Sequence, residues 1–249
     1  MPYLDRSGVQ LYYSVHGNGA NPPLLLSHGF SASSAMWAGQ IAALSRDYYL
    51  ILWDMRGHGQ SDYPSDPGMY SEAHTVADMS AILTHVCGNK HRRAIVGGLS
   101  LGGYMSLAFY RAHSDRVAAL LIIDTGPGFK KDSAREGWNK YAYQTAARFE
   151  RDGLAHLETK SAETRVARHR NATGLVLAAR GMLTQHTSAV IESLPGVRVP
   201  ALVVVGEEDT SFLAAAEYMA RVIPAAKKVV IPKAGHASNI DQPQAFEEC

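Results

Sequence analysis

The chain has 249 residues, enough for one large domain with a buried core, and its 24 Lys and Arg against 23 Asp and Glu leave a net charge of +1. That balance excludes the basic footprint of a nucleic-acid binder and any polyacidic tail, so the expected partners are small molecules. No run approaches the roughly 18 uninterrupted apolar residues of a membrane span, the opening "MPYLDRSGVQLYY" lacks the pattern of a secretory leader, and only Cys87 and Cys249 are present. The expectation is a cytoplasmic protein with no membrane attachment and no disulfide framework.

In chain order, "GVQLYYSVHG" (8–17) predicts antiparallel edge strands. Short continuous apolar runs follow: "LLLSHG" (24–29), "YYLILWD" (48–54), "RAIVGG" (93–98), "VAALLIID" (117–124), "ALVVVGEED" (201–209) and "KKVVIP" (227–232). Runs of this kind suit strands buried on both faces of a mostly parallel sheet. Helix-period stretches at 36–45, 72–87, 100–112 and 211–223 alternate with them, which is the rhythm of an α/β fold with helices on both faces.

From Thr125 to Gly196 the rhythm stops. Ser133 and Glu136 form a candidate capping box for a helix carrying Trp138, Tyr141, Thr145 and Phe149 at helical spacing, which Gly153 can end. Further helices are predicted near 161–170, 174–186 and 187–194. The expected organisation is a core domain of residues 1–124 and 197–249, with a helical cap of residues 125–196 inserted between the sixth and seventh strands. This cap holds eleven basic residues against seven acidic ones. They are expected either to coat its outer faces or, through Arg180 in "AARGML", to attract a distal carboxylate on a substrate.

Chemistry concentrates at Gly98-Leu99-Ser100-Leu101-Gly102, a G-x-S-x-G turn with a strand before it and a helix after it. The pattern arises by chance in about one chain of this length in ten, so its placement at the end of a central strand carries the inference. A serine hydroxyl needs a base, and the base needs a carboxylate. His236, in the Gly-flanked loop "PKAGHASNIDQP" (232–243), can reach the C-terminal edge of the sheet. Asp209 and Asp124 both end strands, and the order serine, acid, histidine favours Asp209, leaving Asp124 to hydrogen-bond loop backbone. The expected oxyanion donors are the amides of Leu101 and Phe30. His28 and the loop "WDMRGHGQSD" (53–62) read as scaffolding, and no metal-ligand spacing, Walker loop or dinucleotide fingerprint is present.

Together "SHGFSASSAMW" (27–37), "WDMRGHGQSD" (53–62), "GLSLGG" (98–103), "VVVGEED" (203–209) and "AGHASNIDQP" (234–243) resemble the α/β-hydrolase superfamily, near its capped esterases and lactonases. The resemblance covers about residues 24–124 and 197 onward. It implies an eight-stranded, mostly parallel sheet, no cofactor, and Ser100, Asp209 and His236 as a catalytic triad. It also implies a last helix running further than "AFEEC". Relatives that dehalogenate or open epoxides use an aspartate nucleophile, which Ser100 argues against. The expected activity is hydrolysis of a small-molecule carboxylic ester through an acyl-enzyme. Lactonase, thioesterase, carbon–carbon hydrolase and perhydrolase remain alternatives on the same scaffold, and a non-catalytic receptor is a further one. The candidate substrate contacts are Phe30, Trp37, Leu101, Trp138, Tyr141 and Arg180.

Overall fold

The computed structural model describes residues 2–88, 91–159 and 161–249. Among them eight strands form one sheet: β1 (Tyr3–Asp5), β2 (Gln10–His16), β3 (Pro23–Ser27), β4 (Tyr49–Trp53), β5 (Ala94–Leu99), β6 (Val117–Ile123), β7 (Ala201–Gly206) and β8 (Ala226–Ile231). Their spatial order is β1-β2-β4-β3-β5-β6-β7-β8. β2 pairs antiparallel with both β1 and β4, as the opening residues predict, and the remaining neighbours are parallel.

The apolar runs sort by the two-residue period of a strand. Leu25, Ile51, Val96, Ile122 and Val203 face one core cluster. Helices α2 (Glu72–Cys87), α3 (Leu101–Ala112) and α8 (Thr210–Val222) cover it with Met79, Ile82, Met105, Phe109 and Met219. Leu24, Leu26, Leu50, Leu52 and Val204 face the other. There Trp37, α1 (Ile41–Asp47) and Phe246 of α10 (Pro243–Glu247) close the layer. Both faces are thus covered, which is why the central runs lack polar alternation.

Chain order reverses direction across the β3–β5 boundary, because β4 lies on one side of β3 and β5 on the other. Ser27 pairs with Gly98 there, so the loops leaving β3 and β5 emerge side by side. This is the switch point at which open α/β sheets bind ligands.

Between β6 and β7 lie α4 (Asp132–Asp152), α5 (Ala162–Arg165), α6 (Ala172–Gly181) and α7 (Ala189–Ser193). Helix α4 buries Ala142, Thr145, Ala146 and Phe149, and Phe149 packs with Leu175, Val176 and Ala179 of α6 in a small cluster of their own. The helix ends at Gly153 as expected, but the Ser133–Glu136 capping box does not form. Lys131 is the residue before the helix, and it makes no side-chain capping bond. The Lys131 carbonyl instead accepts from the amides of Ala134 and Arg135, which starts the first turn two residues early, and the Arg135 side chain donates to the carbonyls of Phe129 and Lys130 just before it. Helix α6 likewise starts before the expected 174, because Asn171 accepts a hydrogen bond from the Gly174 amide and caps it there. Helices α5 and α7 are shorter than predicted, while α9 (Ser238–Asp241) follows the His236 loop. No helix among the described residues is long and apolar enough to cross a membrane.

Candidate active site

Ser100 sits between β5 and α3 with φ 55° and ψ −117°, a conformation that costs an L-residue of order 1–3 kcal/mol and persists only where the surroundings enforce it. They do so through close packing. A Cβ on Gly98 would lie 2.5 Å from the Ser27 carbonyl oxygen, and one on Gly102 would lie 2.3 Å from the same atom. Only glycine at both positions lets β3 approach the turn. The Ser100 amide donates to Ile123 O at 2.9 Å and its carbonyl accepts from Thr125 Oγ1 at 2.7 Å. Although Ser100 is the residue before α3, its hydroxyl makes no capping bond to the helix, so it stays available to a ligand.

Asp209 repeats the pattern at the start of α8, where its carboxylate makes no capping bond. It accepts instead from His236 Nδ1, at 2.7 Å. The imidazole stacks on Phe212, with ring centroids 5.2 Å apart and planes at 27°. Burial pulls His236 down, but the hydrogen bond and charge of Asp209, helped by the charges of Glu163 and Asp124, outweigh it and raise the imidazole above its usual range. Asp124, with φ 45°, accepts from the Gly206 amide at 2.7 Å and from the amide and hydroxyl of Ser238. It ties the end of β7 to the loop carrying His236. Burial pushes its carboxyl up to about 6, against the opposing hydrogen bonds.

The loop after β3 is braced by three imidazoles. His28 donates from Nδ1 to Gly29 O at 2.7 Å and accepts from the Met55 amide at 2.9 Å. His58 donates to Arg56 O and accepts from the Ser31 amide. His169, from the helical insertion, accepts from the Gly59 amide and donates to Ser31 O at 2.9 Å. Each ring must therefore be neutral, and burial holds all three below the usual imidazole range. Asp54 accepts from the Ser34 and Gln60 amides, and Arg56 pairs with buried Asp78 at 2.6 Å, fixing the 53–62 loop that supports them. Within the described residues the amides of Phe30 and Leu101 donate to no protein acceptor, and Leu101 opens α3, where orphan amides and the helix dipole favour an anion.

Two cavities meet at Ser100. One, of about 110 Å³, is lined by Leu101, Trp138, Met182, Leu183 and Phe212 among others. The second, of about 350 Å³, is lined by Phe30, Trp138, Tyr141 and His236, with Thr145 and Glu163. Phe30, Leu101, Trp138 and Tyr141 thus face cavities that also hold Ser100, and Trp138 is fixed by donating from Nε1 to Leu183 O at 2.7 Å. Two expected contacts are corrected. Trp37 is wholly buried on the opposite face of the sheet against Phe246, because the 3₁₀ turn Ser34–Gln40 directs it into the second core layer. Arg180 lines neither cavity and pairs at the surface with Glu150, at 2.8 Å. Lys160, one of the basic residues counted in this segment, lies outside the described residues. Thr145 enters the sequence reading only through its helical spacing, and no sequence pattern picks out Glu163 or His169; the placement of all three in the fold reveals their part in the site. No group of His, Cys, Asp and Glu able to hold a metal occurs among the described residues.

Residues 22–243 match the family model described as alpha/beta hydrolase fold, and the chain belongs to that family. It is a hydrolase family, and its members carry differing activities in their names. The chain is 28% identical over 257 residues to a Bacillus subtilis (strain 168) protein provisionally named 2-succinyl-6-hydroxy-2,4-cyclohexadiene-1-carboxylate synthase, covering 96% of this chain and 92% of that one. Among solved structures, an enol-lactonase from Burkholderia xenovorans LB400 superposes with a TM-score of 0.79 at 27% identity, covering 99% of this chain and 97% of the other. A thermophilic esterase from Thermogutta terrifontis superposes at 0.80 with 28% identity, covering 99% and 94%.

Proposed function

We propose that the protein is a serine hydrolase that cleaves carboxylic esters through an acyl-enzyme, with residues 125–196 acting as a cap over the site. The observation that carries this reading is the 2.7 Å bond from His236 Nδ1 to Asp209, on a histidine that shares a cavity with the strained Ser100. In this reading Asp209 fixes the tautomer that leaves Nε2 free, Nε2 takes the serine proton, and Ser100 Oγ attacks the ester carbonyl. The Phe30 and Leu101 amides receive the oxyanion. The imidazolium then protonates the leaving alcohol, and water repeats the sequence to release the acid. Two solved relatives named an esterase and an enol-lactonase support the substrate class, since a lactone is a cyclic ester.

An aryl phosphonate ester tests it. The expected result is stoichiometric labelling of Ser100 by mass spectrometry, and loss of chromogenic ester turnover on the order of 10⁵-fold in Ser100→Ala. Labelling of another serine, or turnover retained by the variant, overturns the assignment.

A further inference from the structure

The larger cavity contains polar groups that the hydrolytic reading leaves unused. Glu163 is 4% exposed; its Oε1 accepts from Ser161 Oγ, while Oε2 has no hydrogen-bond partner among the described residues. Thr145, 2% exposed on α4, has an Oγ1 that is also unpartnered. Both residues line the cavity that holds Ser100 and His236. A buried carboxylate oxygen without a donor is costly, so a site keeping one favours any ligand that supplies the missing N–H or O–H.

The rest of the wall narrows the ligand further. Apart from His236, Glu163 is the charged side chain among the described residues lining this cavity, and no Lys or Arg lines it. Phe30, Trp138 and Tyr141 line it too, with the rings of the last two 5.4 Å apart. An acid among aromatic faces is the chemistry that receives an ammonium group, through charge-assisted hydrogen bonds and attraction to the ring faces.

We propose that Glu163, Thr145 and the aromatic wall form a subsite for a cationic ammonium group on the substrate. The subsite rests on the ester-hydrolase reading for its substrate class, but binding can be measured without turnover. It also reverses the expectation attached to Arg180: a distal carboxylate is repelled by this cavity.

The experiment uses three acetates of matched shape: 4-(aminomethyl)benzyl, 4-ethylbenzyl and 4-(carboxymethyl)benzyl. For the unmodified protein kcat/KM is expected to fall in that order, by about tenfold from ammonium to ethyl, as suits a charge-assisted bond. Glu163→Gln is expected to bring the ammonium-to-ethyl ratio near one. In parallel, ligand-observed NMR measures Kd for 4-(aminomethyl)benzyl alcohol and 4-ethylbenzyl alcohol on the Ser100→Ala protein, with and without Glu163→Gln. Tighter binding of the ammonium, lost with Glu163→Gln, supports the subsite even if no ester is cleaved, in which case the hydrolase reading alone falls. Equal affinities, or a ratio indifferent to Glu163, overturn the subsite even if all three esters turn over. A Glu163 that acts only by raising the His236 imidazole would move the pH profiles of the three esters together and leave their ratios unchanged, which also overturns it. Should Glu163→Gln fail to fold, Thr145→Val decides: a roughly threefold fall in the ammonium-to-ethyl ratio supports the subsite, and an unchanged ratio overturns it.

Discussion

The C-terminal edge of the sheet and the helical insertion both wall the cavities at Ser100, but different forces hold them there. At the sheet edge the backbone does the placing. Ser100 and Asp124 are held at positive φ, and the glycines flanking the turn have no room for a methyl group. Ser100 and Asp209 each precede a helix without capping it, although serine and aspartate caps typically contribute about 1 kcal/mol. In the insertion, placement rests on side chains: the small cluster around Phe149, Trp138 on Leu183 O and a paired Asn139 and Gln185. Groups over-determined by backbone suit chemistry that tolerates little displacement. Groups held by a few packed side chains can change with little cost to the fold, and they suit selectivity.

The sharpest way to break that contrast lies within the sheet edge itself. Asp209→Asn is expected to lower kcat on the order of 10⁴-fold, because the amide favours the wrong imidazole tautomer and cannot stabilise imidazolium. Asp124→Asn is expected to stay within about tenfold of full turnover, because Asp124 acts on backbone and on Ser238 rather than on His236 Nδ1. Its signature is stability against pH. A carboxyl raised to about 6 in the fold contributes most below its unfolded pKa and loses that contribution as pH rises through the folded value. Urea unfolding should therefore show Asp124→Asn gaining about 2 kcal/mol on the wild type between pH 4 and pH 7. If the larger loss of turnover follows Asp124→Asn, the acid has been assigned to the wrong strand.

The two regions are joined at His169, and there the expected effect is intermediate. His169→Leu removes two hydrogen bonds and leaves the Ser31 carbonyl and Gly59 amide without partners. A loss of about 1–3 kcal/mol and a fall in kcat/KM of roughly tenfold are expected, the latter because the loop offering the Phe30 amide loosens. For imidazoles held below their usual range, the stabilisation is complete above the unfolded pKa and is lost as pH falls through the folded one. Melting curves at pH 7.5 and pH 5 should show the wild type losing more stability on acidification than His169→Leu. An equal loss would mean that this ring does not couple the insertion to the loop.

The same contrast explains what could be read in the sequence. The alternation of apolar runs reports a sheet buried on both faces, and the G-x-S-x-G turn is legible because its geometry admits few residues. Asp209 and His236 follow from their positions after strands. Trp37 and Trp138 illustrate the limit: both are expected substrate contacts, yet one packs under the sheet and the other lines both cavities. Which way each turns depends on packing between elements distant in sequence. The partners of His169 lie 110 and 138 residues away, and Glu163 sits in a four-residue helix with no periodicity to place it. The elbow is written in local backbone requirements, whereas these positions are written in tertiary contacts.

The smallest effect is expected at Arg180, and it tests whether the insertion acts through its interior or its outer surface. Its guanidinium meets Glu150 at 2.8 Å with both side chains nearly half exposed, so water and salt screen the pair and its contribution is about 0–0.5 kcal/mol. A residue outside both cavities can influence substrates only through long-range attraction, which decays over about 10 Å at 0.1 M salt. Arg180→Ala should therefore change kcat/KM for the carboxylate-bearing and neutral benzyl acetates by less than twofold, equally for both. The same result is expected at low and at moderate ionic strength. A selective loss for the carboxylate ester at low salt would show that the basic outer face steers substrate, and selectivity would then be shared between the surface of the insertion and the cavity beneath it.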